Sequence, residues 1–250
     1  MADKIYITER IVSDTEIDFT SQMTLQALLT LFQDIAGAHA NTLGLGFEEL
    51  REKSFAWVLA KTYVKIYSPP TRGQKMRITT WPGTTKRCFY PRYFTIHDED
   101  GLLLCACSSL WVIIDIDTRS LFVDREGILS LPNTSELASP VELPKRLKIP
   151  ETPDITVMRS PQYSEIDVNN HLNNAKYASW LCDMAGIDVF KTNRISEFYI
   201  VYSNEIRPND IIALSQFHAE DGNIFCGVNQ NDLSCFQAQI HWQSMRHDAG

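Results

Sequence analysis

A repeated segment constrains the fold of this chain more than any other feature of its sequence. The stretch EIDFTSQMTLQALLTLFQDIAG, residues 16–37, aligns without a gap on EIDVNNHLNNAKYASWLCDMAG, residues 165–186. Identical residues occupy six aligned positions: Glu16/Glu165, Ile17/Ile166, Asp18/Asp167, Asp34/Asp183, Ala36/Ala185 and Gly37/Gly186. An ungapped match of this length indicates an internal repeat of one structural unit. The sequence therefore predicts two copies of the same domain.

Both copies have the same order of predicted elements. Apolar residues recur at helical spacing from Leu25 to Ala36 in the first copy and from Tyr177 to Ala185 in the second. After each helix the sequence becomes rich in Val, Ile, Thr and aromatic residues, which favour strands, with turn signals such as SPPTRG and HDEDG between them. A long helix followed by a meander of strands predicts an α+β fold in which a curved antiparallel sheet wraps around the helix.

A proline-rich stretch separates the two copies. The segment LPNTSELASPVELPKRLKIPETPD contains few large apolar residues, which is typical of a linker. We therefore predict an N-terminal domain over residues 1–130, a linker over 131–154 and a C-terminal domain over 155–250.

Composition and charge narrow the functional classes. The 250 residues are 44% hydrophobic and 22% charged, and the formal net charge of −8 argues against general nucleic-acid binding. No stretch has the apolar length of a membrane span, and the N-terminus lacks the features of a secretory signal or a transit peptide. The six cysteines show neither a CxxC pair nor metal-ligand spacing, which favours a reducing compartment. We expect a cytoplasmic protein that uses no metal ion and no cofactor.

The second copy differs from the first by polar side chains at the start of its helix. Where the second copy has Asn169 and His171, the first has Thr20 and Gln22. The first helix begins without these groups, so they are not needed simply to start a helix. A helix start offers N–H donors, an imidazole can act as a general acid or base, and an amide can hold an oxyanion. The alternative is that Asn169 or Asn173 caps the helix and His171 is a partly buried polar residue.

The same stretch resembles the signature of a known enzyme family. DVNNHLNNAKY, residues 167–177, resembles the D-x-N-x-H-x-N-N-x-K-Y motif of acyl-[acyl-carrier-protein] thioesterases. WVLAKTYVKIYSPPTRGQKMRITTW and SSLWVIIDIDTRSL are similar to further segments of that family, so the resemblance spans nearly the whole chain. It implies two tandem hotdog domains, in agreement with the duplication. It also implies release of fatty acids from an acyl carrier protein that holds the acyl chain on phosphopantetheine.

The resemblance implies a catalytic set in the second copy. Asp167, Asn169 and His171 fall on the catalytic motif of the family, and Glu205 in YIVYSNEI matches a family glutamate. Ile206 stands where the family has a cysteine, so a cysteine nucleophile cannot act from that position. We expect hydrolysis by an activated water that Glu205 and His171 deprotonate together, with Asp167 orienting the pair. Asn169 and the amides of the helix start are expected to hold the oxyanion.

Other residues receive structural or peripheral interpretations. Cys182 is expected in the core rather than as a nucleophile, and Trp57, Trp81 and Trp111 mostly in sheet packing, with some lining an acyl pocket. A basic cluster in the first copy is a candidate docking surface for an acidic carrier: Arg72, Lys75, Arg77, Lys86, Arg87 and Arg92.

Three other functions remain open from the sequence. The same fold and motif are compatible with acyl-CoA hydrolysis, because both carriers present the acyl group on phosphopantetheine. A non-catalytic acyl-binding module and a dehydratase acting on hydroxyacyl thioesters are further alternatives. The acyl chain length and the choice between monomer and homodimer also remain open.

Overall fold

The computed structural model describes residues 4–124, 129, 131–132, 134–144 and 146–245. The elements of the first copy are β1 (Tyr6–Ile11), α1 (Leu25–Thr42), α2 (Phe47–Arg51), β2 (Phe55–Ile66), β3 (Lys75–Pro82), β4 (Tyr90–His97) and β5 (Leu103–Asp115). Those of the second copy are β6 (Ile155–Arg159), a 3-10 turn (Tyr163–Glu165), α3 (Lys176–Ala185), α4 (Val189–Thr192), β7 (Asn193–Tyr202), β8 (Ile212–Ala219), β9 (Gly222–Asn229) and β10 (Ser234–Ser244).

The described strands form one antiparallel sheet that joins the two copies. Its order is β1-β3-β4-β5-β2-β7-β10-β9-β8-β6, so each copy contributes five strands in the same relative order. The copies meet where β2 pairs with β7, for example Lys61 with Val201. β1 and β6 were not assigned from the sequence; both are edge strands that precede the central helix of their copy.

Each half of the sheet packs against the central helix of its own copy. Phe32 of α1 lies against Phe94 of β4, with ring centroids 4.8 Å apart, and Tyr177 of α3 lies edge-on to Phe236 of β10 at 5.1 Å. The two helices also touch each other, and Ser179 of α3 donates a hydrogen bond to the side chain of Gln26 on α1. This architecture confirms the predicted pair of tandem hotdog domains.

The ends of the central helices follow from local chemistry. Thr24 caps α1 by accepting a hydrogen bond from the Ala27 N–H at 3.1 Å, and the helix continues past its predicted end to Thr42. α3 ends at Gly186, whose φ of 87° lies in the region that glycine adopts without a Cβ clash. No helix in the described part of the chain is long and apolar enough to cross a bilayer.

Part of the predicted linker, around Val141 and Pro144, packs on the face of the sheet opposite α1 and α3. The hydroxyl of Ser108 donates to the Val141 carbonyl, and that of Tyr199 donates to the Pro144 carbonyl at 3.1 Å. Both residues alternate with core residues of β5 and β7, so they point away from α1 and α3. The exact boundaries at residues 130, 131, 154 and 155 stay a prediction, and residues 125–128, 130, 133 and 145 lie outside the described residues.

Candidate active site

The turn that precedes each central helix has the same backbone in both copies. The Asp18 N–H donates to the Gln22 carbonyl at 2.9 Å, and the Asp167 N–H donates to the His171 carbonyl, also at 2.9 Å. Within each turn one residue is left-handed, with a φ of 62° in the first copy and 61° at Asn170 in the second. The duplicated backbone therefore supplies the framework, and the side chains placed on it differ between the copies.

The retained aspartates shape this turn. The Oδ1 of Asp18 accepts from the backbone N–H of Thr20 at 2.7 Å. The Oδ1 of Asp167 accepts from the backbone N–H groups of Asn169 at 2.8 Å and His171 at 3.3 Å. Asp18 does not cap the first helix, because it acts within the turn before that helix. Asp167 in the same way holds the backbone of the two polar residues that the second copy adds.

The retained glutamates also have architectural partners. Glu16 pairs with Arg10, and at the corresponding place Glu165 accepts from Arg159 at 3.0 Å. Glu165 accepts in addition from the indole N–H of Trp180 at 2.9 Å, a fully buried side chain. These hydrogen bonds lower the pKa of Glu165 against the opposing effect of burial. Identity between the copies therefore marks residues that support the framework.

A histidine–glutamate pair forms between two loops of the second copy. The Nε2 of His171 lies 3.0 Å from an Oε2 of Glu205, and the two side chains are 20% and 28% exposed. Their loops are joined by the N–H of Leu172, which donates to the Ile206 carbonyl at 2.8 Å. This bond fixes the register of the loops and brings together two residues that are distant in the sequence.

An arginine from the first copy also contacts the glutamate of this pair. Arg119, in the turn after β5, donates through Nη2 to the same Oε2 of Glu205. The hydrogen bond from His171 is the largest cause that lowers the pKa of Glu205 to about 2; burial opposes it and Arg119 adds to it. Glu205 is therefore an anion at neutral pH and a weak proton acceptor. Sequence reasoning missed Arg119, because nothing in the local pattern of DTRSL connects it with a residue of the other copy.

The remaining asparagines of the motif have distinct positions. Asn169 is exposed, and no partner of its side-chain amide is found among the described residues. Asn173 caps the start of α3, because its Oδ1 accepts from the Ala175 N–H at 2.9 Å and its carbonyl accepts from the Lys176 N–H. The Asn169 amide therefore faces solvent, whereas Asn173 binds backbone N–H groups where α3 begins.

A narrow cleft lies between the first copy and the start of α3. Its walls are mainly apolar, and its cavity volume is about 20 Å³, which is room for roughly one water molecule. It is lined by α1 (Leu29, Phe32, Gln33), by the first half of the sheet (Leu59, Thr62, Phe94, Cys107, Ser109, Trp111) and by Asn174 and Ala175. The cleft therefore reaches the helix start shortly after His171. Of the three tryptophans considered from the sequence, Trp111 lines it, whereas Trp57 donates to the Leu45 carbonyl.

The structure separates the other candidate residues from this site. Cys182 packs against the core, and burial raises the pKa of its thiol to about 12, which argues against a nucleophilic role. Ile206 is fully buried.

The predicted basic docking surface does not exist as one patch. Half of its members are engaged elsewhere: Arg72 pairs with Asp14 at 2.7 Å, Lys75 pairs with Glu9 at 2.8 Å, and Arg92 is buried beside His39. The alternating burial of β4 turns Arg92 toward the core, which the sequence cluster alone did not reveal.

The fold defines a class, the proteins with two tandem hotdog domains. Residues 3–128 match the acyl-ACP thioesterase N-terminal domain and residues 151–244 match the acyl-ACP thioesterase C-terminal domain. The chain therefore belongs to the acyl-ACP thioesterase family. This confirms the family recognised from the sequence.

Curated relatives agree with this family assignment. The chain is 25% identical to oleoyl-acyl carrier protein thioesterase 1, chloroplastic, of Arabidopsis thaliana, over 92% of this chain and 70% of the relative. It is 25% identical to acyl-[acyl-carrier-protein] hydrolase FATB3, chloroplastic, of Cuphea viscosissima, over 79% of this chain but only 51% of the relative.

Two solved structures have the same fold. An acyl-ACP thioesterase from Bacteroides thetaiotaomicron superposes with a TM-score of 0.86 at 24% identity, covering 96% of this chain and 98% of that one. The 12:0-ACP thioesterase from Umbellularia californica superposes with a TM-score of 0.85 at 20% identity, covering 98% and 99%.

Proposed function

We propose that this protein hydrolyses fatty acyl thioesters of an acyl carrier protein to a free fatty acid and the carrier thiol. Membership of the family and the activities of its relatives support this substrate class. The observation that carries the proposal is the contact between His171 and Glu205 at 3.0 Å, formed in the turn that leads to the cleft-lining residues Asn174 and Ala175. A module that only holds an acyl chain needs the cleft but not this pair.

His171 is the proposed general base. Its Nε2–H donates to Glu205, which leaves the lone pair of Nδ1 for a proton of the attacking water. As the water oxygen bonds to the acyl carbon, the proton moves to Nδ1. When the carbon–sulfur bond breaks, the imidazolium returns the proton to the leaving thiolate. The two groups were expected to share the deprotonation; the low pKa of Glu205 favours a division in which Glu205 orients the imidazole and stabilises its cation.

Asn169 is the proposed oxyanion donor. Its side-chain amide is exposed in the turn that Asp167 holds, two residues before His171. The N–H groups of Ala175 and Lys176 are already bonded to Asn173, so they are not available to the substrate. Asn174 lines the cleft, and no acceptor of its N–H is found within the described part of the chain. We assign the carbonyl oxygen to the Asn169 amide and this backbone donor.

The cleft of the first copy is the proposed acyl site. An alkyl chain would enter by displacing side chains such as Leu29, Phe32 and Phe94, and this apolar lining would then remove its surface from water. Because Asn174 and Ala175 form its wall on the side of the second copy, a chain in the cleft would place its thioester toward the polar turn. The first copy would then bind the acyl chain, and the second copy would hydrolyse the thioester.

Hydrolysis of acyl-carrier-protein substrates by purified variants tests these roles. His171→Ala and Asn169→Ala should each lower kcat by about 10²-fold or more, because each removes a group that acts in the transition state. Gln22→Ala, at the position of the first copy that corresponds to His171, is the matched control and should leave kcat unchanged. A folded His171→Ala protein with wild-type turnover would show that the site is wrong.

Two alternatives are separated by the same preparation. Matched acyl chains on the carrier protein and on coenzyme A distinguish the two thioesterase functions through the ratio of their kcat/KM values. If neither thioester is hydrolysed but acyl chains bind, the non-catalytic module is correct.

A further inference from the structure

One ion pair of the site crosses from the first copy to the second. Arg119 belongs to the turn after β5, and its guanidinium contacts the carboxylate of Glu205, which follows β7. The contact is made on Oε2, the atom that also faces His171. The candidate site of the second copy therefore depends on a residue of the copy that lacks the polar motif.

The turn that carries Arg119 is held in an uncommon backbone conformation. Arg119 has a φ of 58°, a region that non-glycine residues rarely adopt. Its N–H donates to the Asp115 carbonyl at 2.9 Å, and the Asp115 carboxylate accepts from the N–H of Thr118 at 2.7 Å and from its hydroxyl at 2.9 Å. A strained residue that its surroundings hold in place is typical of functional positions. Here the constraint directs a charged side chain across the domain boundary.

Among the described residues, three titratable or charged groups face Glu205. They are His171 in the turn before α3, Arg119 in the turn after β5, and the buried Tyr177 of α3. His171 and Arg119 both stabilise the carboxylate, whereas burial raises the pKa of the Tyr177 phenol, and the negative charge of Glu205 adds a smaller contribution in the same direction. Arg119 is thus the permanent positive charge among these three groups.

We propose that Arg119 is a positioning residue for thioester hydrolysis: it fixes the Glu205 carboxylate at one oxygen and shares its charge with His171. The inference rests on the proposed function of the His171–Glu205 pair. A carboxylate held by two donors has one orientation, so the imidazole that it contacts is also fixed. The shared charge has a second consequence. With Arg119 present, Glu205 stabilises the imidazolium less strongly, and His171 can return its proton to the leaving thiolate.

The inference predicts a particular pattern for Arg119→Ala. Because Arg119 does not touch the substrate, kcat should fall about tenfold while KM stays nearly unchanged. Loss of the guanidinium raises the pKa of Glu205 and leaves the whole carboxylate charge to His171. The acidic limb of the kcat/KM profile should therefore move to higher pH. Arg119→Lys keeps the charge, so it should restore the wild-type limb and part of kcat.

Two controls separate positioning from folding. Ser21 is an exposed residue of the same copy with a similar φ of 62°, in the turn that lacks the polar motif, so Ser21→Ala reproduces the backbone change without touching the site. It should leave kcat and the pH profile unchanged. In a protein that already carries Glu205→Gln, Arg119→Ala should lower kcat little further, because the two substitutions act through the same carboxylate.

The outcomes distinguish this inference from the proposed function. If His171→Ala abolishes hydrolysis and Arg119→Ala behaves like Ser21→Ala, the inference is overturned and the proposed function stands. If Arg119→Ala lowers kcat by the same factor in the wild-type protein and in the Glu205→Gln variant, Arg119 does not act through Glu205. The inference is then also wrong. Wild-type turnover of His171→Ala would overturn the proposed function itself.

Discussion

Glu165→Gln is expected to destabilise the protein strongly without removing its activity. The carboxylate accepts hydrogen bonds from Gln162 N–H at 2.8 Å, from Arg159 at 3.0 Å and from the Trp180 indole at 2.9 Å. An amide keeps one oxygen but turns its NH₂ toward at least one of these donors, and it removes the charge that Arg159 contacts. Trp180 is fully buried, so its N–H cannot turn to water instead.

The magnitude follows from the donors that are left without a partner. A hydrogen bond to a charged group contributes about 1.5–3 kcal/mol, and an unsatisfied buried donor costs about 1–3 kcal/mol. We therefore expect Glu165→Gln to lower the free energy of unfolding by about 3 kcal/mol. Glu16→Gln in the first copy is the matched variant. Its carboxylate accepts from the N–H and hydroxyl of the exposed Ser13, which can be rehydrated, so its cost should be about 1 kcal/mol.

Urea unfolding followed by tryptophan fluorescence measures the two costs side by side. The pKa of Glu165 is lowered in the folded state, so its carboxylate contributes stability above its ordinary value of 4.5 and loses it as pH falls below that value. The difference between wild type and Glu165→Gln should therefore shrink in acid. An equal or larger cost for Glu16→Gln would refute the reasoning, as would a folded Glu165→Gln protein without hydrolytic activity.

Other variants test the turn, the thiol and the cleft. Asp167→Ala should lower kcat at least tenfold, because the backbone N–H groups of the two site residues in its turn lose their acceptor. Asp18→Ala, in the corresponding turn of the first copy, should leave kcat unchanged. Equal losses of kcat in the two variants would contradict the assignment of the site to the second copy. Cys182→Ala should hydrolyse at the wild-type rate, and thiol-blocking reagents should not inhibit the native enzyme, since burial raises the pKa of this thiol to about 12. Leu29→Trp should narrow the cleft and shift the released fatty acids to shorter chains, with each excluded methylene costing about 0.8 kcal/mol, or roughly fourfold in kcat/KM. An unchanged fatty-acid profile would place the acyl chain elsewhere.

The internal repeat accounts for most of what the sequence reveals about the fold. Residues 16–37 and 165–186 share their helical periodicity and their flanking acids, and these properties depend only on neighbours in the chain. The start of α1 at Leu25 and the end of α3 at Ala185 follow the predicted pattern. The edge strands β1 and β6 escaped prediction because they are short and partly exposed.

The hydrogen bonds of the two turns show which residues of the motif belong to the shared backbone framework and which are added in the second copy. The aligned sequences alone do not make this distinction for Asp167. The sequence motif groups Asp167 with Asn169 and His171. In the structure the hydrogen bonds of Asp167 reproduce those of Asp18, which identifies a shared part of the turn. The two added residues have no such counterpart in the first copy, since Thr20 and Gln22 occupy their positions.

The sequence by itself determined the duplication, the helix-and-sheet plan, the family and the polar turn, because each is written in short-range patterns. The tertiary structure decided which distant residues meet. The pairing of the loops through Leu172 and Ile206 places Glu205 against His171, and the junction of β2 with β7 brings Arg119 within reach of Glu205. The tertiary structure also buries Arg92, so this residue does not belong to a docking surface. Such contacts depend on sheet register and closure, which a local pattern does not specify.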